Sequence, residues 1–331
     1  MIIRERQLVN LCDAFFPVVE EPISYGNFMG RSIHIPGYKA IVDKTSGNTL
    51  SVVSTKYRLV TNKEAYDIAD YVVGIIFPGK TLRDFEVFNV IMPKTKGSCR
   101  IDLIIPNNFN ELFGNERESW TPFVRISNSY NRTTTLKFEI GFCRWICLNG
   151  CIFDQMGVSF SLTHMGDISK REIDRLIANA KHVGEISNLW ATFEQKMIEL
   201  RNINVNISNV LPIYCKVFDI KVTPADRGKL TEAQKENLRA KAKQILKSSK
   251  DYFKEMGNNA YALMNVLTDY ASFPEWTANP NNVVDGYQRK VGKWVDDFLK
   301  ATKEKDFSLS KYLGDDYKDT ADYLESLVPV E

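Results

Sequence analysis

The sequence predicts an α+β fold, with an antiparallel sheet and one early helix in the N-terminal half, followed by a largely helical C-terminal half. Up to about residue 165, short apolar runs alternate with Pro, Gly and Asn clusters, which is typical of strands joined by turns. After that point apolar residues recur with a period of about 3.6, which is typical of amphipathic helices. We therefore expect a β-rich core at residues 1–165 and a helical part at residues 166–331, either as two domains or as one continuous domain.

The first strands and the early helix have clear sequence signals. Apolar runs at residues 38–42 and 50–53 flank the turn signal Thr45-Ser46-Gly47-Asn48, which predicts a β-hairpin. Thr61 and Glu64 form a capping box, which predicts a helix over residues 62–77. Further strands are predicted at residues 85–92, 101–105, 122–127, 136–147 and 158–162, with a loop at residues 106–119.

Two more capping boxes open the predicted helices of the second half. Ser169 and Glu172 begin one long helix that continues through Leu200. Thr231 and Gln234 begin another helix, which has an apolar stripe on one side and basic residues on the other. Shorter helices are predicted at residues 259–270 and 283–300, and the tail after them is acidic.

Composition excludes several classes of protein. The 43 basic residues nearly cancel the 41 acidic ones, so the net charge of +2 argues against a strongly steered nucleic-acid binder and leaves room only for a local basic patch. No apolar stretch approaches the roughly 20 residues of a membrane span, and the N-terminus lacks the core of a signal peptide. Six cysteines in 331 residues are too few for a disulfide scaffold. We expect a cytoplasmic protein of a bacterial host cell, with reduced thiols and no membrane partner.

Three segments of the chain resemble a known family. They are residues 53–65, residues 124–130 followed by 144–150, and residues 259–270. In order and spacing they are similar to the phage/plasmid-like family catalogued as domain of unknown function 932, over most of the chain. The resemblance implies a DNA-linked role on phages or mobile elements. The chain departs from the family at Asn131-Arg132, where the family usually has Asp-Gly, so a mechanism that needs an acid there is disfavoured.

Arg144 is the most informative candidate residue. Alternation along the predicted strand places it on the same face as Phe138, Ile140 and Phe142, which is an apolar face. An unpaired buried guanidinium would cost several kcal/mol, so Arg144 should meet a carboxylate, a group of carbonyls or an anionic ligand such as phosphate. Both a structural ion pair and a phosphate site satisfy this requirement.

Polar residues at both ends of this region predict a pocket beside Arg144. The candidate residues are Asn128, Ser129, Tyr130 and Asn149. If their segments form adjacent strands, their amides and hydroxyls would converge on a phosphate or a base edge. The alternative is that the asparagines cap turns and Tyr130 packs in the core. His164 is the candidate general acid or base of an enzyme hypothesis.

Cys143, Cys147 and Cys151 recur at a spacing of four residues, which invites comparison with a metal site. In a strand, residues four apart are about 13 Å apart, which is too far to share one ion. We therefore interpret them as reduced packing thiols and predict neither a metal nor a cofactor. The sequence also has no P-loop, dinucleotide-binding or serine esterase motif.

A stripe of basic residues follows one predicted helix at a spacing of three to four. Its members are Lys235, Arg239, Lys243, Lys247 and Lys250. Phosphates of a nucleic acid would follow such a face, and the affinity would fall with salt. The alternative is an ordinary solvated lysine face, and Glu232 and Glu236 dilute its charge.

Three functions are consistent with these observations. The leading hypothesis is an accessory protein of a phage or mobile element that binds single- or double-stranded DNA without sequence preference, as an oligomer that supports recombination, annealing or protection. The second hypothesis is an enzyme that acts on a nucleotide or phosphate-containing substrate in the polar pocket. The third hypothesis is a protein–protein inhibitor of host defence.

Overall fold

The computed structural model describes residues 11–26, 30–106, 108–153 and 170–328. Within these residues the α+β class is confirmed. Two antiparallel sheets and one early helix make up the N-terminal half, and helices make up the C-terminal half. The predicted strand at residues 158–162, the capping residue Ser169 and the candidate His164 lie outside the described residues.

The first sheet has three antiparallel strands, β1 (Val18–Gly26), β2 (Ser32–Asp43) and β3 (Thr49–Ser54). The predicted hairpin is therefore confirmed as β2–β3. Neither β1 nor the first half of β2 was predicted from the sequence. Most side chains of these segments are exposed, so no buried face imposes an alternating pattern on them.

The second sheet contains β4 (Glu86–Ile91), β5 (Ser98–Ile104), β6 (Asn110–Glu111), β7 (Ser119–Ser129), β8 (Lys137–Arg144) and β9 (Asn149–Ile152). Its order is β4-β5-β7-β8-β9, with the short β6 paired to β7, and all neighbours are antiparallel. The strands β7 and β8 are central and are buried on both faces. Of the site residues predicted from sequence, Asn128, Ser129 and Arg144 lie on these two strands, and Asn149 lies on β9.

The prediction of one strand over residues 136–147 was wrong, because β8 ends at Arg144. The chain turns through residues 145–148, where the amide of Leu148 donates to the carbonyl of Arg144 at 2.9 Å. Leu148 has a φ of 58°, and the chain returns as β9. A continuous apolar run does not distinguish a strand from a strand followed by a tight turn.

The helices begin with α1 (Asn62–Ile76), where the Thr61–Glu64 capping box is present as predicted. The long helix predicted after Ser169 is instead two helices, α2 (Lys170–Val183) and α3 (Ile186–Asn202). Gly184 between them has a φ of 84°, a left-handed conformation that ends a helix and that glycine adopts at little cost.

The remaining helices are α4 (Val210–Phe218), α5 (Pro224–Arg227), α6 (Glu232–Met256), α7 (Ala260–Ser272), α8 (Val284–Thr302), α9 (Leu309–Leu313) and α10 (Asp315–Ser326). The capping box of Thr231 and Gln234 opens α6 as predicted, and α7 and α8 agree with the predicted shorter helices. The acidic tail forms α10, which the sequence analysis did not predict. Its few buried residues gave too short a stripe to detect.

The main core lies between one face of the second sheet and the helices. Phe142 of β8 stacks on Phe193 of α3 with their ring centroids 4.2 Å apart, and Trp120 of β7 lies 5.1 Å from the same ring. Residues of both halves of the chain belong to this one hydrophobic cluster. The opposite face of the sheet carries charged residues that contact α8. The sheet therefore has one apolar face and one face that is partly polar and also buried.

Candidate nucleic-acid interface

Arg144 lies at the C-terminal end of β8, and its side chain is 0% exposed. Its guanidinium donates from Nε to Glu118 Oε2 at 3.1 Å and from Nη2 to Glu118 Oε1 at 3.0 Å. Nη2 also donates to the carbonyl of Arg117 at 3.0 Å and to Glu255 Oε1 at 3.2 Å. The expectation that this buried charge has a partner is confirmed, and its partners are protein carboxylates and a carbonyl.

The same ion pair connects the sheet to two helices. Glu255 belongs to α6, and Tyr261 of α7 donates its hydroxyl proton to Glu118 Oε2 at 2.5 Å. Trp120 in turn donates from Nε1 to the Tyr261 hydroxyl at 2.9 Å. Burial raises the pKa of Tyr261 well above its usual value, and the negative charge of Glu118 raises it further. This phenol therefore stays protonated and remains a hydrogen-bond donor.

Asn128 does not lie beside Arg144, which corrects the predicted pocket. In the antiparallel pairing of β7 with β8, Arg144 is opposite Trp120, whereas Ser127 is opposite Lys137. Asn128 is thus eight residues along β7 from Trp120, the residue that pairs with Arg144. At about 3.4 Å per residue, this separation is about 27 Å. The two segments are adjacent strands, as expected, but their polar residues lie at opposite ends.

The side chains of Asn128 and Tyr130 fix the start of α1 to the sheet. Asn128 Nδ2 donates to the carbonyl of Val60 and to Asn62 Oδ1, both at 2.9 Å. The amide of Asn62 donates to the Tyr130 hydroxyl at 3.0 Å. Both side chains are buried, so the capping and packing alternative describes their contacts better than a ligand-binding role does.

Ser129 closes the turn between β7 and β8. Its hydroxyl donates to the carbonyl of Thr134 at 2.6 Å and accepts from the amide of Thr134 at 3.1 Å. The side chain is 0% exposed, so it is not available to a ligand in this conformation.

Among the predicted pocket residues that the structure describes, Asn149 is the one that lies next to Arg144, because the two residues pair across the β8–β9 turn. Asn149 Nδ2 donates to the Tyr252 hydroxyl at 2.7 Å, and Tyr252 belongs to α6. Asn149 and Arg144 therefore both connect the sheet to α6. Both side chains are fully buried, and their hydrogen bonds hold α6 against the sheet.

Cys143, Cys147 and Cys151 are buried free thiols. Burial raises the pKa of all three, so each is a neutral thiol near pH 7. Across the parts of the chain that the structure describes, no group of three or more His, Cys, Asp or Glu side chains could hold a metal ion.

The basic stripe of α6 divides into a neutralised part and an exposed part. Lys235 contacts Glu232 at 2.7 Å, and Arg239 contacts Glu236 at 2.5 Å. Arg239 also donates from Nε to the carbonyl of Leu327 at 2.8 Å. These contacts neutralise the N-terminal half of the stripe.

The C-terminal half of the stripe forms what we call the lysine face, which consists of Lys243, Lys247, Lys250 and Lys254. All four side chains are exposed, and they lie within about 60° of one another because a helix turns about 100° per residue. Lys247, Lys250 and Lys254 have no hydrogen bond or ion pair to any described residue. Lys254 was not among the residues predicted from sequence, although its spacing of four from Lys250 places it on the same stripe.

A second buried arginine cluster was missed by the sequence analysis. Asp102, Arg125 and Glu139 lie side by side on β5, β7 and β8, in one row of the sheet. Arg125 forms a bidentate pair with Asp102, with both nitrogen–oxygen distances 2.6 Å. From α8, Asp285 accepts from Arg125 at 2.9 Å and Arg289 pairs with Glu139. The charges of Arg125, Arg289 and Arg100 lower the pKa of Asp285 despite its burial, so it is ionised near pH 7.

The sequence contained a signal for this cluster. Arg125 shares its face of the predicted strand with Phe123 on one side, as Arg144 does with Phe142, but with the polar Ser127 on the other, so its pattern is weaker than that of Arg144. A strand that is buried on both faces places a charged residue in the interior whichever face it points to.

Comparison with known proteins places the chain in a family. The family model described as Domain of unknown function (DUF932) matches residues 49–275. The match covers more than half of the chain, so the protein belongs to this family, in agreement with the resemblance of its three segments. No curated protein and no solved structure matches the chain.

Within the described residues, none of the helices has both the length and the apolar composition needed to cross a membrane.

Proposed function

We propose that this protein is a cytoplasmic accessory protein of a phage or mobile element that binds nucleic acid without sequence preference through the lysine face of α6. The observation that carries the proposal is the alignment of exposed lysines over the last turns of α6 in a chain with a net charge of only +2. A local cluster of one sign attracts phosphates even when the whole chain is nearly neutral.

The length of the lysine face suits a nucleic-acid strand. From Lys243 to Lys254 the helix rises about 16 Å at about 1.5 Å per residue. Roughly five phosphates of one strand occupy that length of B-DNA at about 3.4 Å per phosphate. Lysines act on phosphates as point charges without reading the bases, so we expect binding to be strongly salt-dependent and weakly sequence-dependent.

The proposal differs from the sequence hypothesis in the residues that carry it. Arg144, Asn128, Ser129, Tyr130 and Asn149 are buried and bonded to other protein groups, so we no longer assign them a binding role. The enzyme hypothesis depended on a pocket shared by Asn128 and Arg144, and it loses that support. An oligomer that anneals or protects DNA strands is compatible with the proposal, because copies aligned along a strand would add their lysine faces.

The test is a salt titration of DNA binding by the full chain. We compare the wild type with a triple variant, Lys247→Ala, Lys250→Ala and Lys254→Ala. If these lysines contact phosphates, the slope of log K against log salt should become shallower by about 2 with single-stranded DNA and about 3 with double-stranded DNA.

A matched control removes three lysines that are exposed but already paired with carboxylates. The control variant carries Lys63→Ala, Lys303→Ala and Lys311→Ala, whose partners are Asp67, Glu199 and Asp306. It changes the net charge by the same amount, and it should retain the wild-type slope because none of these lysines belongs to the lysine face. Equal slopes for the wild type and the α6 triple variant, or no DNA binding by the wild type at low salt, would refute the proposal.

A further inference from the structure

A polar cleft lies between the β2–β3 turn and the β4–β5 turn. Its volume is about 350 Å³, which is at the lower end of the range for small-ligand sites. It is lined by Asp43, Ser46, Asn48, Thr49, Leu50, Lys94, Thr95 and Lys96. Apart from Leu50, every one of these side chains is polar or charged.

A fixed ion pair forms one wall of the cleft. Lys96 Nζ lies 2.8 Å from Asp43 Oδ2 and 4.5 Å from the ring centroid of Phe16. Asp43 also accepts from the Ser46 hydroxyl and the Thr45 amide, each at 2.9 Å. Burial by itself would raise the pKa of Asp43, but these hydrogen bonds outweigh it and lower the pKa to about 2.

The backbone at Lys96 is in a conformation that a non-glycine residue seldom adopts. Its φ is 55°, which costs roughly 1–2 kcal/mol for a residue with a Cβ atom. This strained turn places the lysine of the β4–β5 connection against the β2–β3 turn. Strain of this kind is often found where a side chain must be held in one place.

Hydrogen-bond donors exceed free acceptors in the cleft. Asp43 is the carboxylate of the lining, and its two oxygens already accept three hydrogen bonds. Lys94 and Thr95 are exposed, and neither has a hydrogen bond or an ion pair to a described residue. Lys96 retains two further ammonium protons. The lining therefore favours an anion that accepts several hydrogen bonds.

We propose that this cleft binds a phosphate monoester, held by Lys96 as a fixed cation, by Lys94 as a mobile one, and by the hydroxyl of Thr95. With Asp43 ionised, the lining carries a net charge of +1, which attracts an anion. A monoester presents three terminal oxygens that can accept from Lys94, Lys96 and Thr95 at once, whereas a phosphodiester presents two. The monoester is either a free small molecule or the terminal phosphate of a nucleic-acid strand.

The cleft is remote from the lysine face, so the inference does not depend on the proposed function. The carbonyl of Gly97, next to Lys96, accepts from the amide of Tyr130 at the C-terminal end of β7. The C-terminal end of α6 contacts Arg144, which is opposite Trp120 at the other end of β7. The two sites therefore lie at opposite ends of a strand that is about 34 Å long at about 3.4 Å per residue.

The experiment is calorimetric titration of the full chain, in a buffer free of phosphate and sulfate, with inorganic phosphate and with a nucleoside 5′-monophosphate. We expect the wild type to bind phosphate more tightly as pH rises through the second phosphate pKa, which is about 6.

Two variants test the lining residues. Lys94→Ala and Thr95→Val should each retain the folding stability of the wild type, because both side chains are exposed. Lys94→Ala should weaken binding by about tenfold or more, since it removes a charged hydrogen bond. Lys63→Ala is the matched control and should bind as the wild type does.

Two further arms identify the source of the phosphate. The first arm compares an oligonucleotide that has a 5′-phosphate with the same strand that has a 5′-hydroxyl. If Lys94→Ala weakens binding of the phosphorylated strand and leaves binding of the 5′-hydroxyl strand unchanged, the site is assigned to strand ends. Lys94-dependent binding of the small molecules alone would assign it to a free monoester. Absence of binding by the wild type, unchanged binding by Lys94→Ala, or equal Lys94-dependent binding of the 5′-hydroxyl strand would overturn the inference. The α6 triple variant should bind phosphate normally, so the two proposals can fail separately.

Discussion

The buried arginines and the exposed lysines of this chain have the same charge but opposite surroundings. Arg144 and Arg125 are 0% exposed, and carboxylates on neighbouring elements accept their hydrogen bonds. Lys247, Lys250 and Lys254 extend into solvent from one side of α6. The planar guanidinium can satisfy several acceptors at once in the interior, whereas the ammonium group is strongly hydrated and stable at the surface. Charge alone therefore does not identify a binding residue in this protein, because burial and partners decide its role.

The largest expected effect comes from breaking a buried pair. Arg144→Ala leaves Glu118 buried without its cation, so we expect the free energy of unfolding to fall by about 3–5 kcal/mol in urea denaturation. A double variant, Arg144→Met with Glu118→Gln, removes both charges and should recover part of the loss. A decrease of less than about 1 kcal/mol for Arg144→Ala would contradict the comparison, because it would mean that this arginine behaves as a surface residue does.

An intermediate case is Lys96, a lysine whose role resembles that of the arginines. It helps to lower the pKa of Asp43 from 3.8 to about 2, so ionised Asp43 stabilises the fold at any pH above its unfolded pKa. This contribution is about 2 kcal/mol, and it should be lost as pH falls from about 4 through about 2. Urea denaturation of the wild type and of Asp43→Asn from pH 6 to pH 2 measures it, since the difference between the two proteins should shrink over that range. A difference that stays constant with pH would show that the carboxylate is not stabilised by these contacts.

The smallest expected effect is that of the lysine face on stability. The triple variant Lys247→Ala, Lys250→Ala and Lys254→Ala should unfold within about 0.5 kcal/mol of the wild type, because no described partner is lost and alanine favours a helix. Thermal denaturation followed by circular dichroism gives the measurement. A large loss of stability would place these lysines with the buried arginines and would weaken their assignment to binding.

Features that depend on a few neighbouring residues were predicted well. The capping boxes at Thr61 and Thr231 are both present, because such a box involves residues only three positions apart. The prediction of one long helix after Ser169 was wrong. The apolar stripe continues past Gly184, but the positive φ of this residue interrupts the helix. The burial of Arg144 was predicted from alternation, whereas Arg125 was overlooked because only one of its neighbours on the same strand face, Phe123, is apolar.

The sequence by itself determined the α+β class, most of the helices, the hairpin β2–β3 and the need of Arg144 for a partner, because all of these follow from local periodicity and from the cost of burying charge. Only the tertiary structure decided which groups meet. Strand register places Asn128 and Arg144 at opposite ends of the sheet and brings Asp102, Arg125 and Glu139 into one row. Register and helix docking depend on contacts between residues far apart in the chain, and a local pattern shows which face of a strand is buried without showing which distant residues it meets.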